Sequence, residues 1–380
     1  MQFFVVCKPF MQQHTPFAAI DWTYVPSYMD VMNPASSQPV ANKTFYRWQR
    51  APLEHHLHTL MPQWAGKPLD ITSQDLASNA SFVNYVRHHR LIDPCTGKPV
   101  EMVEKSIRKV AFLGSQEARF HRADGMLVGS SHFRHPACLG VIETPWESLI
   151  FTAFVKGKPP RMQAIAKQLA LGIAELEELS HHYLQAQPPR KSPLIWSMDF
   201  FRPWFLLRPR FNFARCLPGL IQLGRQDARF AGLAERFKVC LPLTRRLATQ
   251  ARRSPRCISH MDYLRKNLFI VKGHLHLIDW SEVKVGRVGF DGGAYLGSLF
   301  RRKDMKVFLA AQAEFVEAYR TALPEHFDAE LALGNLRYVF LLTALFHCLR
   351  PETIEEYRER DRMSLLHEKY VYLLGLVEAA

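Results

Sequence analysis

The rhythm of hydrophobic and polar positions changes along the chain, and each change predicts a different element. SFVNYVRHHRLID (residues 81–93) alternates with a period of two, the mark of a half-buried strand, and Pro94-Cys95-Thr96-Gly97 then marks a turn. VEMVEKSI (100–107) follows as a second strand, so the pair predicts a hairpin. SQEARFHRADGML (115–127) reads as a helix with Ser115 placed to cap its first turn. CLGVIET and ESLIFTAFV, separated by Pro145-Trp146, predict two more strands. This succession makes a small α+β lobe ending near Gly157. Beyond it the period lengthens to that of a helix. Met162, Ile165, Ala166, Leu169, Ile173 and Leu176 recur on one face, QAQPPRKSP breaks the run, and LRYVFLLTALFHCL is apolar nearly all round, as a buried helix requires.

Three regions follow. Residues 1–72, rich in Pro, aromatics and His, read as an extension packed on its neighbour; 73–157 form the small lobe; 158–380 form a helical lobe that includes a basic segment at 190–256. The expected fold is therefore α+β and bilobal, with a small β-rich N-lobe and a large, mainly helical C-lobe. A chain of 380 residues with 48% hydrophobic and 22% charged residues is globular rather than disordered. Its longest apolar run, near 338–349, is too short to span a bilayer, and MQFFVVCKPF lacks the pattern of a signal peptide. Seven cysteines without a CxxC pair point to reduced thiols and no zinc site. These features together predict a cytoplasmic protein.

Charge sharpens the picture. The net charge is +14, and between residues 190 and 256 fifteen Lys and Arg stand against three acids, an excess of twelve. Such a block implies an anionic partner, unless it is a solvated helical face.

The chemistry concentrates in HMDYLRKNLFIVKGHLHLIDW (260–280). His260-x-Asp262 with Asn267 five residues on has the spacing of a kinase catalytic loop. There an aspartate orients the attacking hydroxyl and an asparagine supplies a hard oxygen to magnesium. Asp279 is placed to give a second metal-binding carboxylate. LFIVKG and HLHLID flank a Lys-Gly turn, which would carry Asn267 and Asp279 to the same end of one hairpin. The competing reading makes His260 a core histidine, Asp262 a turn cap and Asp279 a strand-end charge. Upstream, Lys105 on a strand and Glu117 on the next helix suit a lysine that contacts phosphates and a glutamate that holds it, although such a pair also occurs on ordinary surfaces. No GxxxxGK[ST] phosphate loop is present.

At these residues the chain resembles the aminoglycoside phosphotransferase and choline kinase-like family, a branch of the protein-kinase-like fold that phosphorylates small-molecule hydroxyls. ISHMDYLRKN, LIDW and GFDGG stand where that family has H-G-D-x-x-x-x-N, I-D-[WF] and a D-x-[AG] turn. The resemblance implies ATP and Mg2+ as cofactors, Asp262 as base, Asn267 and Asp279 as metal ligands, and Lys105 with Glu117 as phosphate clamp. It also implies that His260 and Asp291 buttress the loop; a turn or helix cap is the other reading of Asp291. Met261 stands at the family's glycine, Arg265-Lys266 replace Pro-Gly, SNASFVN over the phosphates has no glycine, and FTAFVKG at the hinge has no acid.

For the acceptor, DFFRPWFLLRPRFNFAR (199–215) interleaves Arg with Phe, Trp and Leu, which suits contact with anionic headgroups at a membrane surface. The same rings are equally suited to packing a helical core. The expectation is an ATP-dependent phosphotransferase acting on a hydroxyl of an anionic saccharide or glycolipid, with peripheral contact at the inner face of the membrane. The alternative is a catalytically silent kinase-like module that binds anionic membrane or nucleic acid. No nucleic-acid motif accompanies the charge, so nucleic acid is the weaker partner.

Overall fold

The computed structural model describes residues 52–76, 83–109, 115–122, 129–186, 198–201 and 203–378, the side chains of 203–212 and of Phe346 excepted. The greater part of the N-terminal extension and segment 77–82, which includes most of SNASFVN, lie outside the described residues.

The chain from Pro52 builds the small lobe first. Helix α1 (Leu53–Leu60) precedes β1 (Ile71–Leu76), β2 (Val83–Ile92) and β3 (Pro99–Arg108). Helix α2 (Gln116–Arg122) follows, then the short β4 (Phe133–Arg134), β5 (Cys138–Glu143) and β6 (Glu147–Ala153). Five strands pair in the order β1-β2-β3-β6-β5, antiparallel throughout. The two faces of β3 serve different ends, because side chains alternate across a strand. Met102 packs with Leu57 of α1, Trp64, Leu91, Leu149 and Phe151. Ile107, odd-numbered like Lys105, meets Ala118 of α2 and Ile150, so Lys105 shares the α2 face. Ser115 Oγ accepts the amide of Ala118 at 3.3 Å, the cap expected from the sequence.

The C-lobe opens with α3 (Ala166–Ala186), followed by α4 (Pro203–Gln226), α5 (Leu233–Lys238) and α6 (Cys240–Ala251). The functional stretch follows: β7 (Arg256–Ser259), β8 (Leu268–Val271), β9 (His274–Leu277) and β10 (Lys284–Arg287). Helices α7 (Phe290–Arg302), α8 (Met305–Ala322), α9 (Ala329–Cys348), α10 (Pro351–Glu359) and α11 (Met363–Glu378) complete the lobe. One large core unites them, with α9 crossing it as the apolar helix the sequence predicts. No described helix is long and apolar enough to cross a membrane.

The lobes meet where the chain leaves β6. Lys158 bridges to Ile270 of β8, its amide donating to the Ile270 carbonyl at 3.4 Å and its carbonyl accepting the Ile270 amide at 3.0 Å. Gly157 permits that approach: a Cβ there would lie 2.9 Å from the Ile270 carbonyl oxygen and 2.8 Å from Val271. The described rings at the opening of the basic segment pack inward. Phe200 stands edge-on to Phe290 at 4.8 Å, Phe201 lies parallel to Tyr338, and Phe213 belongs to the core.

Candidate active site

The β8–β9 hairpin sets the positions of Asn267 and Asp279. Lys272 and Gly273 both have positive φ, 50° and 82°, the signature of a two-residue turn matched to strand twist. Register pairs Leu268 with Leu277, and the Ile278 amide donates to the Asn267 carbonyl at 2.9 Å. Asn267 and Asp279 are thus brought to the open end of one hairpin.

Two side-chain clusters form there. In the first, Lys105 Nζ lies 2.7 Å from Glu117 Oε2 and donates to Asp279 Oδ1 at 2.5 Å, joining β3, α2 and the hairpin end across 174 residues. Phe120, three positions beyond Glu117 in α2, stacks on Trp280 at 3.9 Å, which fixes the helix against the residue that follows Asp279. Burial would lower the lysine, but the two carboxylates outweigh it and hold Lys105 at about 12. Burial likewise favours a protonated Asp279, yet Lys105 prevails and keeps that carboxyl below its usual range. Burial moves Glu117 upward, with Lys105 opposing. Lys266 Nζ stands 4.0 Å from the second oxygen of Asp279.

In the second cluster, Asn267 Nδ2 donates to Asp262 Oδ2 at 2.8 Å and to the Asp262 carbonyl at 3.0 Å. Both bonds use the amide nitrogen, so the amide oxygen of Asn267 is left for another partner. Burial raises the Asp262 carboxyl, opposed by Lys266 and by the Asn267 bond. No hydrogen bond or ion pair joins Asp262 to Lys105 among the described residues, although the charge of Asp279 acts on both.

Beneath the loop, Asp291 in the first turn of α7 is fully buried. Its carboxylate accepts the amides of His260 at 3.0 Å and Met261 at 2.9 Å, and the Tyr263 hydroxyl at 3.0 Å. Burial pushes it up to about 6 against those donors. His260 is also fully buried. Its Nδ1 accepts the Asp262 amide at 3.2 Å, so the proton sits on Nε2 and is donated to the Ile278 carbonyl at 3.0 Å. The neutral ring is favoured by burial, with a value lowered to about 4. His260 therefore ties the loop to the hairpin, and Asp291 ties it to α7.

Met261 has a φ of 66°, the left-handed region where the related motif carries glycine. The backbone demand is met here by a strained methionine whose amide is gripped by Asp291. Arg265 to Asn267 form a single 3-10 turn without the Pro-Gly pair, and Arg265 Nε donates to the Pro160 carbonyl at 3.2 Å. Sequence reasoning assigned no role to Trp280, Phe120 or Tyr263, and marked Lys266 only as a replacement within the loop. Only their adjacency to Asp262, Asp279 and Glu117 could have suggested them. Glu177 was also missed: it is fully buried, accepts the Gly289 amide at 2.8 Å and the Tyr319 hydroxyl at 2.5 Å, and so fixes the entry to α7.

An antiparallel sheet whose lysine is held by a helix glutamate, set above a helical lobe with an Asp-x4-Asn loop, defines a protein-kinase-like fold. The chain belongs to the phosphotransferase enzyme family, whose sequence profile matches residues 100–328, more than half of its length. Among solved structures, choline kinase from Cryptosporidium parvum Iowa II is 11% identical, with a TM-score of 0.51 over 86% of this chain and 95% of that one. The amicoumacin kinase hAmiN, solved with AMP-PNP, Ca2+ and Ami, is 11% identical with a TM-score of 0.52, over 80% of this chain and 88% of that one. At that identity the likeness establishes the fold. No sequence among the curated proteins matches the chain.

Proposed function

We propose that this phosphotransferase uses ATP with Mg2+ and that Asp262 is the base for the acceptor hydroxyl. The observation that carries the reading is the Lys105 ammonium, gripped by Glu117 and already at 2.5 Å from Asp279. A surface ion pair would not bury a lysine between a helix of one lobe and a hairpin end of the other.

The residues fit a magnesium ion by their donor chemistry. Asn267 offers an amide oxygen and Asp279 a carboxylate held ionised by Lys105, both hard ligands, with phosphate and water to complete the shell. When bound, the metal would neutralise phosphate charge. Lys105 would hold phosphate oxygens, and Glu117 would keep the lysine aimed. Asn267 engages Oδ2 of Asp262, leaving Oδ1 to orient the hydroxyl and take its proton; a carboxyl raised by burial is a stronger base for that step.

The basic excess at 190–256 supports an anionic acceptor, which we take to be a saccharide or glycolipid, met at the inner face of the membrane through the arginines of 199–215 rather than through Phe200, Phe201 and Phe213, which pack inward. The test is a screen with labelled ATP and magnesium over sugars, sugar phosphates, lipid-linked saccharides, choline-like amines and aminoglycosides. Transfer lost in Asp262→Asn is the expected result. A folded protein that binds no ATP with magnesium would leave the silent module as the reading.

A further inference from the structure

A cavity of about 250 Å3 lies against the three residues that follow Asp262. Residues 263–265 form one wall, 161–163 at the approach to α3 another, and the last turns of α7 with Lys303 the third. Four lining side chains are cations, Arg161, Arg265, Arg302 and Lys303, and none is a carboxylate. Arg161, Arg302 and Lys303 have no ion pair or side-chain hydrogen bond among the described residues, and Arg265 uses only its Nε, on the Pro160 carbonyl. Glu314 lies near enough to act on Tyr295 but does not line the cavity. Gln163, also in the wall, has a buried amide oxygen without a donor.

Cations of one sign facing a shared concavity repel one another, and an anion placed among them offsets that repulsion. Guanidinium groups fork onto phosphate oxygens, and an unpartnered amide oxygen suits a hydroxyl donor. Arg302 also lines a second cavity of about 290 Å3 with Arg301, Arg360 and Arg362, where Glu356 is the one carboxylate. The basic surface thus continues away from the catalytic loop, and its cations come from positions outside the 190–256 block.

We propose that the cavity beside Tyr263–Arg265 is an anion subsite that takes the phosphate-bearing part of the hydroxyl acceptor. Its role toward an acceptor rests on the phosphotransferase reading, whereas anion binding in it does not. The acceptor class is then a polyhydroxylated molecule that already carries a phosphate, either a soluble sugar phosphate or a phosphorylated lipid headgroup.

Calorimetric titration of the full chain with inorganic phosphate, and with glucose 6-phosphate against glucose, tests the proposal. The comparison proteins are Arg161→Gln/Arg302→Gln, which alters exposed side chains and should keep the wild-type melting curve, and Lys306→Gln/Arg320→Gln, which alters exposed cations of α8 outside the cavity and the basic block. Saturable phosphate binding is expected, weaker by about tenfold for each arginine removed from the cavity, with glucose 6-phosphate bound more tightly than glucose. The second double variant should bind as the wild type does. Sedimentation with phosphatidylglycerol and phosphatidylcholine vesicles separates the sources. Anionic vesicles bound without free phosphate, and lost in Arg161→Gln/Arg302→Gln, would support the headgroup; displacement by soluble phosphate would support the sugar phosphate. Absence of saturable binding to either, or binding indifferent to Arg161 and Arg302, would overturn the subsite. Wild-type affinity for ATP with magnesium is measured in parallel. No ATP binding beside an intact phosphate site refutes the phosphotransferase reading alone, and ATP binding without any anion response refutes the subsite alone.

Discussion

Replacing Met261 by glycine, alanine and valine isolates the cost of the backbone at the catalytic loop. The φ of 66° places an L-residue where Cβ crowds the following carbonyl, at a cost of roughly 1–2 kcal/mol. Glycine removes that cost but loses roughly 0.5–1 kcal/mol through the greater freedom of its unfolded chain. Both glycine and alanine forfeit the partly buried methionine side chain that packs on the core, so that loss cancels between them. The balance is a glycine variant more stable than the alanine variant by about 0–1.5 kcal/mol, the reverse of the order at ordinary helix or strand positions. Valine, β-branched, should be the least stable of the three. Urea unfolding at matched m-values measures the series directly. A glycine variant clearly less stable than alanine would refute the claim that Met261 is held in strain by the Asp291 carboxylate.

Asp262→Asn should reduce acceptor phosphorylation by about 10²–10⁴ while the affinity for ATP stays within a few-fold, read from steady-state kinetics and nucleotide titration; an unchanged turnover would remove Asp262 from the base role. Lys105→Met takes from Glu117 and Asp279 the cation they share, and should destabilise the protein by about 3–5 kcal/mol and abolish nucleotide binding, measured by denaturant unfolding and calorimetry. Stability should also fall with acid. His260, lowered to about 4, and His121, lowered to about 3 mainly by burial, are neutral when folded and bind protons near pH 6.5 when unfolded. Their contribution is complete above pH 6.5 and shrinks as the pH falls toward those values, by roughly 2 kcal/mol each at pH 5. Asp291, raised to about 6, acts with the opposite sign and returns about 1 kcal/mol over the same interval. A net loss of about 2–3 kcal/mol between pH 8 and pH 5 is expected from these three groups, and unfolding curves that coincide at the two pH values would contradict it.

Much of this architecture is legible in the sequence, for reasons that differ by element. The hairpin was readable because Lys-Gly between two apolar runs demands positive φ at both turn residues, and the turn has it. β2 and β3 were readable from their alternation. β1 was not, since ITSQDL is an edge strand, apolar only at its ends and exposed between them. The helix expected over 115–127 is described as Gln116–Arg122, with 123–128 outside the described residues. Juxtaposition of Lys105, Glu117 and Asp279 was legible as an order of residue types, whereas the Phe120–Trp280 stack that enforces it needed the fold. The alternation of Arg with aromatic residues at 199–215 was ambiguous by nature, because rings that suit a membrane also suit a core. Phe200, Phe201 and Phe213 are packed inward. The cationic cavity was invisible in the sequence, since Arg161, Arg265 and Arg302 converge only through the packing of three separate segments.

The contact between Lys105 and Asp279 has a further consequence for how the cleft fills. Under the roles proposed for them, a carboxylate that would hold a cation and an ammonium that would hold phosphate are already each other's counter-ion. Loading would then be an exchange of partners, in which Asp279 would give up the lysine for a metal and Lys105 would give up Asp279 for phosphate. Neither charge would stand alone at any stage, so joint occupancy by nucleotide and metal would be favoured over either one alone.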